Sequence, residues 1–480
     1  MAKKSSKGSQ LMDWLDERTG LRHAMDEALN EPIPGGARWS YVFGSLLLFL
    51  LVLQIVTGIV MSLYYVPSAD HAHASVAYIQ KVVPGGALLR GIHHYGSSAM
   101  IILAVAHLAQ TFLFGAYKRK RELIWVLGVV MLLIVFAFGF TGYLLPWDQA
   151  AYFGTKVGAS IAGEIPVIGS LQQRIMLGGT ELSTVTLSRF FTTHVFLLPL
   201  ALIGLAGLHV MLFRKAGPAG PYHDRDNTRV DRFYPKQVFN DSVATLAVFV
   251  VLVYLALKWP AELGPVADPT SDYLARPPWY FMPLFQLLKY FPGKYAIVPT
   301  VVVPAVIFGA LLLLPFLDRR AERNPFKRPL ASALLILIIA VAGGLIYVAN
   351  YQDSRNPEFA EKLKQQDEEM HAFFKAPFQP QQVGAVAAVA SGPATASTGA
   401  TPAAYLENCA DCHGAHGEGD ADLGPALTGL EGKPNRSKDD LLKILDDARA
   451  YGLKKPMPQN FPDLTDEDKK AIVEWMVKLK

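Results

Sequence analysis

Four histidines and one cysteine pair carry the chemistry open to this sequence. His93 and His107 lie in "GIHHYGSSAMIILAVAHLAQ", and His194 and His209 in "FTTHVFLLPLALIGLAGLHV", 14 and 15 residues apart. At 3.6 residues per turn, each pair falls within about 60° of one helical face and about 21–22 Å apart along the axis. Two such helices side by side set His93 level with His194, and His107 level with His209. Each level then offers two imidazoles, the axial set of a six-coordinate haem iron. A single buried histidine more often just hydrogen-bonds a neighbouring helix, but four at matched spacing ask for more. His94 competes with His93; it points about 100° away and leaves a poorer interval. In "NCADCHG", two residues separate Cys409 from Cys412, and His413 follows directly. This is the pattern on which haem is attached covalently.

The elements that position these groups read as membrane helices. Seven stretches have the ~20 mostly apolar residues a crossing needs: about 39–66, 91–116, 122–145, 187–214, 241–259, 295–317 and 329–350. The third ends at "GYLLPWDQ", where Pro146 and Trp147 stop it. The sixth carries Pro299, Pro304 and Pro315 and is expected to be irregular. Gly44 and Gly58 on the first span and Gly128 and Gly142 on the third repeat the interval of 14. Glycine lets another body approach the backbone, so these notches suit two flat macrocycles inside a four-helix bundle.

Lysine and arginine stay preferentially on the cytoplasmic side. Segments 118–121, 214–236 and 318–328 hold fifteen of them, whereas the longer connections 67–90, 146–186 and 260–294 hold seven. The first set, with Lys3, Lys4 and Lys7, is expected in the cytoplasm. An odd number of crossings then delivers the Cys409 motif to the outside, where bacteria attach haem covalently.

Composition fits a membrane protein: 51% of residues are hydrophobic and 18% charged, with a net charge of +4, too small for a nucleic-acid binder. Only two cysteines exist, which excludes a disulfide framework and a cysteine-ligated zinc or iron–sulfur centre. The start is basic and then amphipathic, without a signal peptide's apolar run. Residues 352–374 are charged and predict a surface helix, and Ala376 to about Ala403 reads as a tether. The expected class is all-α: a seven-helix transmembrane protein with a four-helix di-haem bundle and a small all-α C-terminal domain. Its parts are an amphipathic segment (1–38), the di-haem bundle (39–220), a three-helix part with a long outer loop (221–351), a surface helix and linker (352–403) and the covalent-haem domain (404–480).

The chain resembles the cytochrome b subunit of quinol–cytochrome c oxidoreductases, fused to a class I cytochrome c. The resemblance rests on "LQIVTGIVMSLYY" (53–65), the histidine spans, "GFTGYLLPWDQ" (139–149), "IPVIGS" (165–170), "LSRFFTTH" (187–194) and "PPWYFMPLFQLLKYFP" (277–292). It implies two non-covalent b haems, the one at His93 and His194 being outer and of low potential, and one covalent c haem. It also implies an outer quinol-oxidising pocket walled by Phe140, Tyr143, Gly158, Pro277, Pro278, Trp279 and Tyr280. An inner quinone-reducing pocket would use Arg214, Asp26 and Glu27. Relatives place a glutamate where this chain has Pro278, so the proton acceptor is expected among Asp148, Asp268, Asp272 or water, with a low-potential quinol such as menaquinol. Val42 stands where one branch binds an extra haem through cysteine, and no such haem is expected.

In the C-terminal domain the resemblance implies His413 and Met457 as iron ligands, with Met476 in the core, His416 too close to His413 to serve, and "LGPALTGL" (423–430) as the connecting loop. Its implied partners are a Rieske-type iron–sulfur protein, quinol and quinone, a further cytochrome c or terminal oxidase, membrane lipid and a second copy of the complex, in the bacterial cytoplasmic membrane. A second expectation keeps the haems without electron bifurcation: a transmembrane relay or anchor of another quinone-linked oxidoreductase. A purely structural scaffold would leave both motifs empty.

Overall fold

A computed structural model describes residues 7–222, 228–379, 401–414, 417, 426–427, 437–446, 464–477 and 479. The chain divides into two compact units, 1–383 and 384–480. The first opens with two short helices, α1 (Lys7–Thr19) and α2 (Leu21–Leu29), separated by Gly20 in the left-handed conformation. Strands β1 (Pro32–Pro34) and β2 (Val230–Arg232) pair antiparallel and tie the start of the chain to the fifth span.

Among the described residues, seven helices are long and apolar enough to cross a membrane: Phe43–Ser62, Gly86–Leu113, Glu122–Leu144, Thr184–Ala216, Phe233–Lys258, Val298–Leu317 and Pro329–Arg355. They match the seven expected spans. The first three are α3, α5 and α6, with α4 (Ala72–Lys81) between α3 and α5. The connection after α6 holds α7 (Gln149–Gly163) and α8 (Gly169–Leu177). The fourth span is composite: α9 (Thr184–Thr192), a π-helical turn (Thr193–Leu197) and α10 (Leu198–Ala216). Then follow α11 (Val238–Lys258), the short α12 (Met282–Leu288), α13 (Val303–Leu317), α14 (Pro329–Arg355) and α15 (Pro357–Lys375). The sixth span is irregular where Pro299 falls, in a π turn over Val298–Val302.

Helix α5 packs against α3, α6 and α11, and α6 packs against α10 and α13. Leu50, Met100, Ile101, Val135, Leu202 and Leu252 fill the centre. The connections 63–85, 145–183 and 259–297 meet on one face. There Ala267 N–H donates to the Trp147 carbonyl, and Asp148 forms an isolated bridge with Val266. Asp148 also caps α7 through Ala151 N–H. On the opposite, short-connection face, Arg121 and Arg323 clasp the carbonyls of residues 216–221.

The surface helix starts later than the sequence suggests. Residues 352–355 continue α14, and Asn356 caps α15 ahead of Pro357. Proline suits a helix's first turn because its missing N–H has no partner there anyway. Most of the expected tether, 380–400, lies outside the described residues.

The second unit packs α16 (Ala403–Asn408), α17 (Ala410–His413), α18 (Lys438–Asp446) and α19 (Asp466–Met476) around Tyr405, Leu441, Leu445, Ile472 and Trp475. A reciprocal cap between Thr465 and Asp468 starts α19.

Candidate functional site

Helix α5 presents His93, and the π turn presents His194; their ring centroids stand 6.4 Å apart with planes at 65°. Two imidazoles sharing one metal need that separation: about 2.0 Å of metal–nitrogen bond and about 1.2 Å from nitrogen to ring centre on each side. Thr57 Oγ1 lies 2.9 Å from His93 Nδ1, and Thr141 Oγ1 lies 3.0 Å from His194 Nδ1. Each hydroxyl donates its proton to the carbonyl four residues back, Leu53 at 2.7 Å and Ala137 at 2.8 Å. Its oxygen therefore accepts from Nδ1–H, which leaves Nε2 with the lone pair a metal needs. These residues fit a bis-imidazole haem. His94 is exposed, with its ring against Tyr95, so His93 is the inward histidine of the pair.

The π turn explains the interval of 15. It absorbs one extra residue, with Leu198 N–H donating to the Thr193 carbonyl, and so brings His194 and His209 back toward one face. The second level is formed by His107 on α5 and His209 on α10, whose Nδ1 atoms are both buried. The glycines stand where notches are needed. A Cβ on Gly58 would lie 3.3 Å from His93 Cε1, one on Gly142 2.6 Å from His194 Cε1, and one on Gly128 3.6 Å from His209 Cε1. Gly44 has nothing within 4 Å.

A second cluster forms where α6 ends. Tyr280 Oη donates to the Gly139 carbonyl at 3.2 Å, and Tyr143 Oη to the Arg276 carbonyl at 3.4 Å. Phe140 meets Phe281 with centroids 6.3 Å apart. Helix α7 closes in through two glycines: a Cβ on Gly158 would lie 2.6 Å from Phe140, and one on Gly154 2.5 Å from Tyr143. The structure thus gathers Phe140, Tyr143, Gly158 and the Pro277–Tyr280 segment, and adds Gly154 and Phe281. Trp279 sits at the edge of this cluster, with its ring centroid 5.5 Å from that of Tyr280; it is 42% exposed and its Nε1 donates to Ser98 Oγ at 3.3 Å.

The acids around this cluster are engaged. Asp148 accepts from Ala151 N–H at 2.9 Å and Gly264 N–H at 3.1 Å. The side chain and backbone of Thr270 hold the Asp268 carboxyl below its ordinary range, and Lys362 does the same to Asp272. Burial pushes the Tyr273 and Tyr280 phenols up to about 12, so both stay protonated, and Tyr280 donates to Gly139.

On the short-connection face, a cavity of about 440 Å³ lies between the starts of α3 and α11, lined by Ser45, Phe49, Phe233, Asp241 and Phe249 among others. Asp241 accepts from Ser45 Oγ and Gln237 Nε2, both at 2.8 Å. The polar groups expected for an inner pocket are elsewhere. Arg214 pairs with Glu31 at 3.6 Å, Asp26 accepts from Asn30, and Glu27 is exposed. Sequence reasoning missed Asp241, although an acid opening an apolar span is a signal. It also missed Thr57 and Thr141, which precede Gly58 and Gly142 as a repeated Thr-Gly pair.

In the second unit, the single turn α17 runs from Ala410 to His413, and His413 N–H donates to the Cys409 carbonyl at 3.0 Å. Cys409 is buried beside Tyr405, whose hydroxyl donates to the Gly414 carbonyl at 2.9 Å. Met476 is in the core as expected. Met457, His416 and most of 423–430 lie outside the described residues.

Comparison with known proteins gives this arrangement a family. The family model described as cytochrome b/b6/petB matches residues 29–217, and that described as cytochrome b (C-terminal)/b6/petD matches 265–360. The cytochrome bc complex cytochrome b subunit of Chlorobaculum thiosulfatiphilum is 36% identical over 344 residues, covering 70% of this chain and 80% of that one. The chain belongs to the cytochrome b family. Its C-terminal part matches the cytochrome c model over residues 400–480. The menaquinol:cytochrome c reductase cytochrome b subunit of Geobacillus thermodenitrificans is 40% identical over 222 residues, covering 44% of this chain and 99% of that one. A solved structure described as a hyperthermophilic respiratory Complex III superposes with a TM-score of 0.64 at 29% identity, covering 75% of this chain and 96% of that one. This cytochrome b is therefore a multi-pass membrane protein joined to a cytochrome c domain, and both domains carry haem for electron transfer.

Proposed function

We propose that the chain is the haem- and quinone-binding subunit of a quinol–cytochrome c oxidoreductase in a bacterial cytoplasmic membrane, with its long-connection face outside. The observation that carries this reading is the pair of imidazole levels, the first already spaced for one metal between His93 and His194. His93 with His194 would hold the outer b haem, His107 with His209 the inner one, and Cys409, Cys412, His413 and Met457 the c haem. When bound, the b haems supply a one-electron path across the membrane and the c haem a one-electron carrier outside.

Quinol is oxidised in the outer pocket, where Phe140, Phe281 and Tyr143 enclose the ring and the Tyr280 hydroxyl is held by Gly139. Of its two electrons, one leaves to a Rieske-type iron–sulfur partner and the other is destined for a quinone on the cytoplasmic side. Both protons are released outside. The cavity at Asp241 and Ser45 supports an inner quinone-reducing pocket better than the surface groups Arg214, Asp26 and Glu27 do. The Asp241 carboxyl in its protonated form, or the Ser45 hydroxyl, can donate to a quinone carbonyl, and the carboxyl can then pass it a proton. Menaquinol is the substrate named for the Geobacillus relative and is the expected quinol here.

Pro278 favours a second reading, a haem relay without bifurcation, because proline cannot accept a quinol proton. Purification from native membrane separates the two. Bifurcation predicts a pyridine haemochrome ratio of two b to one c and co-purification of an iron–sulfur subunit with a two-cysteine, two-histidine cluster. Three haems without that subunit would favour the relay, and absence of b haem would reject both.

A further inference from the structure

The two histidine levels are held differently. At the outer level both Nδ1 atoms meet threonine hydroxyls, at 2.9 and 3.0 Å, and each hydroxyl is oriented as an acceptor by its own bond to a backbone carbonyl. At the inner level the residues preceding the notch glycines are Phe43 and Leu127, which offer no hydroxyl. The Nδ1 atoms of His107 and His209 are buried, and neither has a hydrogen-bond partner among the described residues. The Gln110 side chain and the Ile124 carbonyl lie beside these rings, but neither makes a bond to Nδ1 of acceptable distance and angle.

An imidazole whose N–H is bonded to an acceptor carries more electron density on its other nitrogen and is a more basic ligand. A more basic axial ligand favours ferric over ferrous iron and lowers the reduction potential. We infer that Thr57 and Thr141 act as positioning residues that lower the potential of the b haem held by His93 and His194, through their hydrogen bonds to the two imidazoles. This rests on the two-haem reading above. The asymmetry lies in four residue identities, Thr57 and Thr141 against Phe43 and Leu127.

Spectroelectrochemistry of the full-length protein in detergent tests this without using turnover. Thr57→Val and Thr141→Val remove the acceptor while keeping the branched shape. Each is expected to raise the midpoint of one b haem, the double variant to raise it further, and Thr57→Ser or Thr141→Ser to restore it. The low-field electron paramagnetic resonance signal of the same haem shifts with it, and the other haem stays in place. The complementary change, Leu127→Thr, is expected to lower the midpoint of the other haem, and it serves should the valine variants lose haem. Unchanged midpoints in a double valine variant that retains both b haems overturn the inference, as does an unchanged midpoint in Leu127→Thr. Wild-type protein with fewer than two b haems overturns the two-haem reading itself, a result distinct from two haems of insensitive potential.

Discussion

Gly142 is the tightest point around the first pair of imidazoles. A methyl group there would sit 2.6 Å from His194 Cε1 and 3.2 Å from its Nδ1, so Gly142→Ala must push the ring off its axis or strain α6. Overpacking of this kind costs about 1–3 kcal/mol, and here it falls on a ligand. The expected outcome is loss of one b haem, taking the haemochrome ratio from two b per c toward one. Two of the acids expected to replace the carboxylate missing at Pro278 give the opposite expectation. Asp268 and Asp272 are held ionised by Thr270 and Lys362, so Asp268→Asn and Asp272→Asn should leave the pH profile of quinol oxidation unchanged. A shifted alkaline or acid limb in either would return that residue to the proton path. The pairing of His93 with His194 was legible in the sequence because spacing on a helix is a local property. Thr57 and Thr141 were not, because which glycine neighbour meets which imidazole is decided only when α3 packs on α5 and α6 on α10.

At the scale of the element, the π turn and α15 matter most. A sequence spacing of 15 is one residue too long to match the 14 on α5, and the π turn at Thr193–Leu197 removes the mismatch. Such turns are single-residue insertions in an α-helix and often fall at functional sites. Deleting Leu197, which is 59% exposed, should restore regular α-helix and a spacing of 14, with both b haems retained. Loss of either haem would mean that the π turn itself shapes the ligand. Helix α15 lies across the long-connection face. Phe359 stacks with Arg276 near its start, Lys362 pairs with Asp272, and Phe373 packs on His73 near its end. Lys81 Nζ closes its C-terminus by donating to the Phe373 and Ala376 carbonyls at 2.7 and 2.8 Å. Hydrogen bonds to a charged group contribute about 1.5–3 kcal/mol. Lys81→Met, which keeps the stem, should therefore speed amide exchange in the last turn of α15 by about tenfold or more; exchange at the wild-type rate would show that the apolar contacts alone hold it. Charge composition marked this helix in the sequence. Its start is set locally by the Asn356 cap and Pro357, whereas its seat on α4 depends on Phe373 and Ala376 meeting His73 and Lys81 about 300 residues away, which no local pattern reports.

On the scale of the whole molecule, the four-helix bundle and the last spans are joined on the short-connection face by cations bonded to backbone rather than by apolar packing alone. Arg323 donates to the carbonyls of Phe114 at 3.1 Å and of Ala219 and Gly220 at 2.8 Å. Arg328 donates to those of Phe112 and Leu113, and Lys118 to those of Arg320 and Glu322. The sequence shows these residues only as the excess of positive charge that orients the spans; their second task appears when 112–118, 216–221 and 318–328 converge. Among the carboxylates of this cluster, Asp318 faces the buried cations. Asp318 takes Tyr117 Oη and Lys118 Nζ, the latter at 2.9 Å, with Arg328 at 3.8 Å. Burial raises its carboxyl, but the bonds from Tyr117 and Lys118 outweigh that and hold it below its ordinary value. A carboxylate depressed on folding stabilises the fold above its unfolded value, about 3.9, and that stability is lost as pH falls through the lower folded value. The thermal midpoint of the b haem absorbance should thus start to decline as pH falls toward about 4 and go on declining until pH is below the depressed folded value. Asp318→Asn should start lower at neutral pH and decline less, because the amide has no proton to gain. An equal decline in both proteins would place the acid sensitivity outside this junction, and the two halves would then be held together by their apolar contacts.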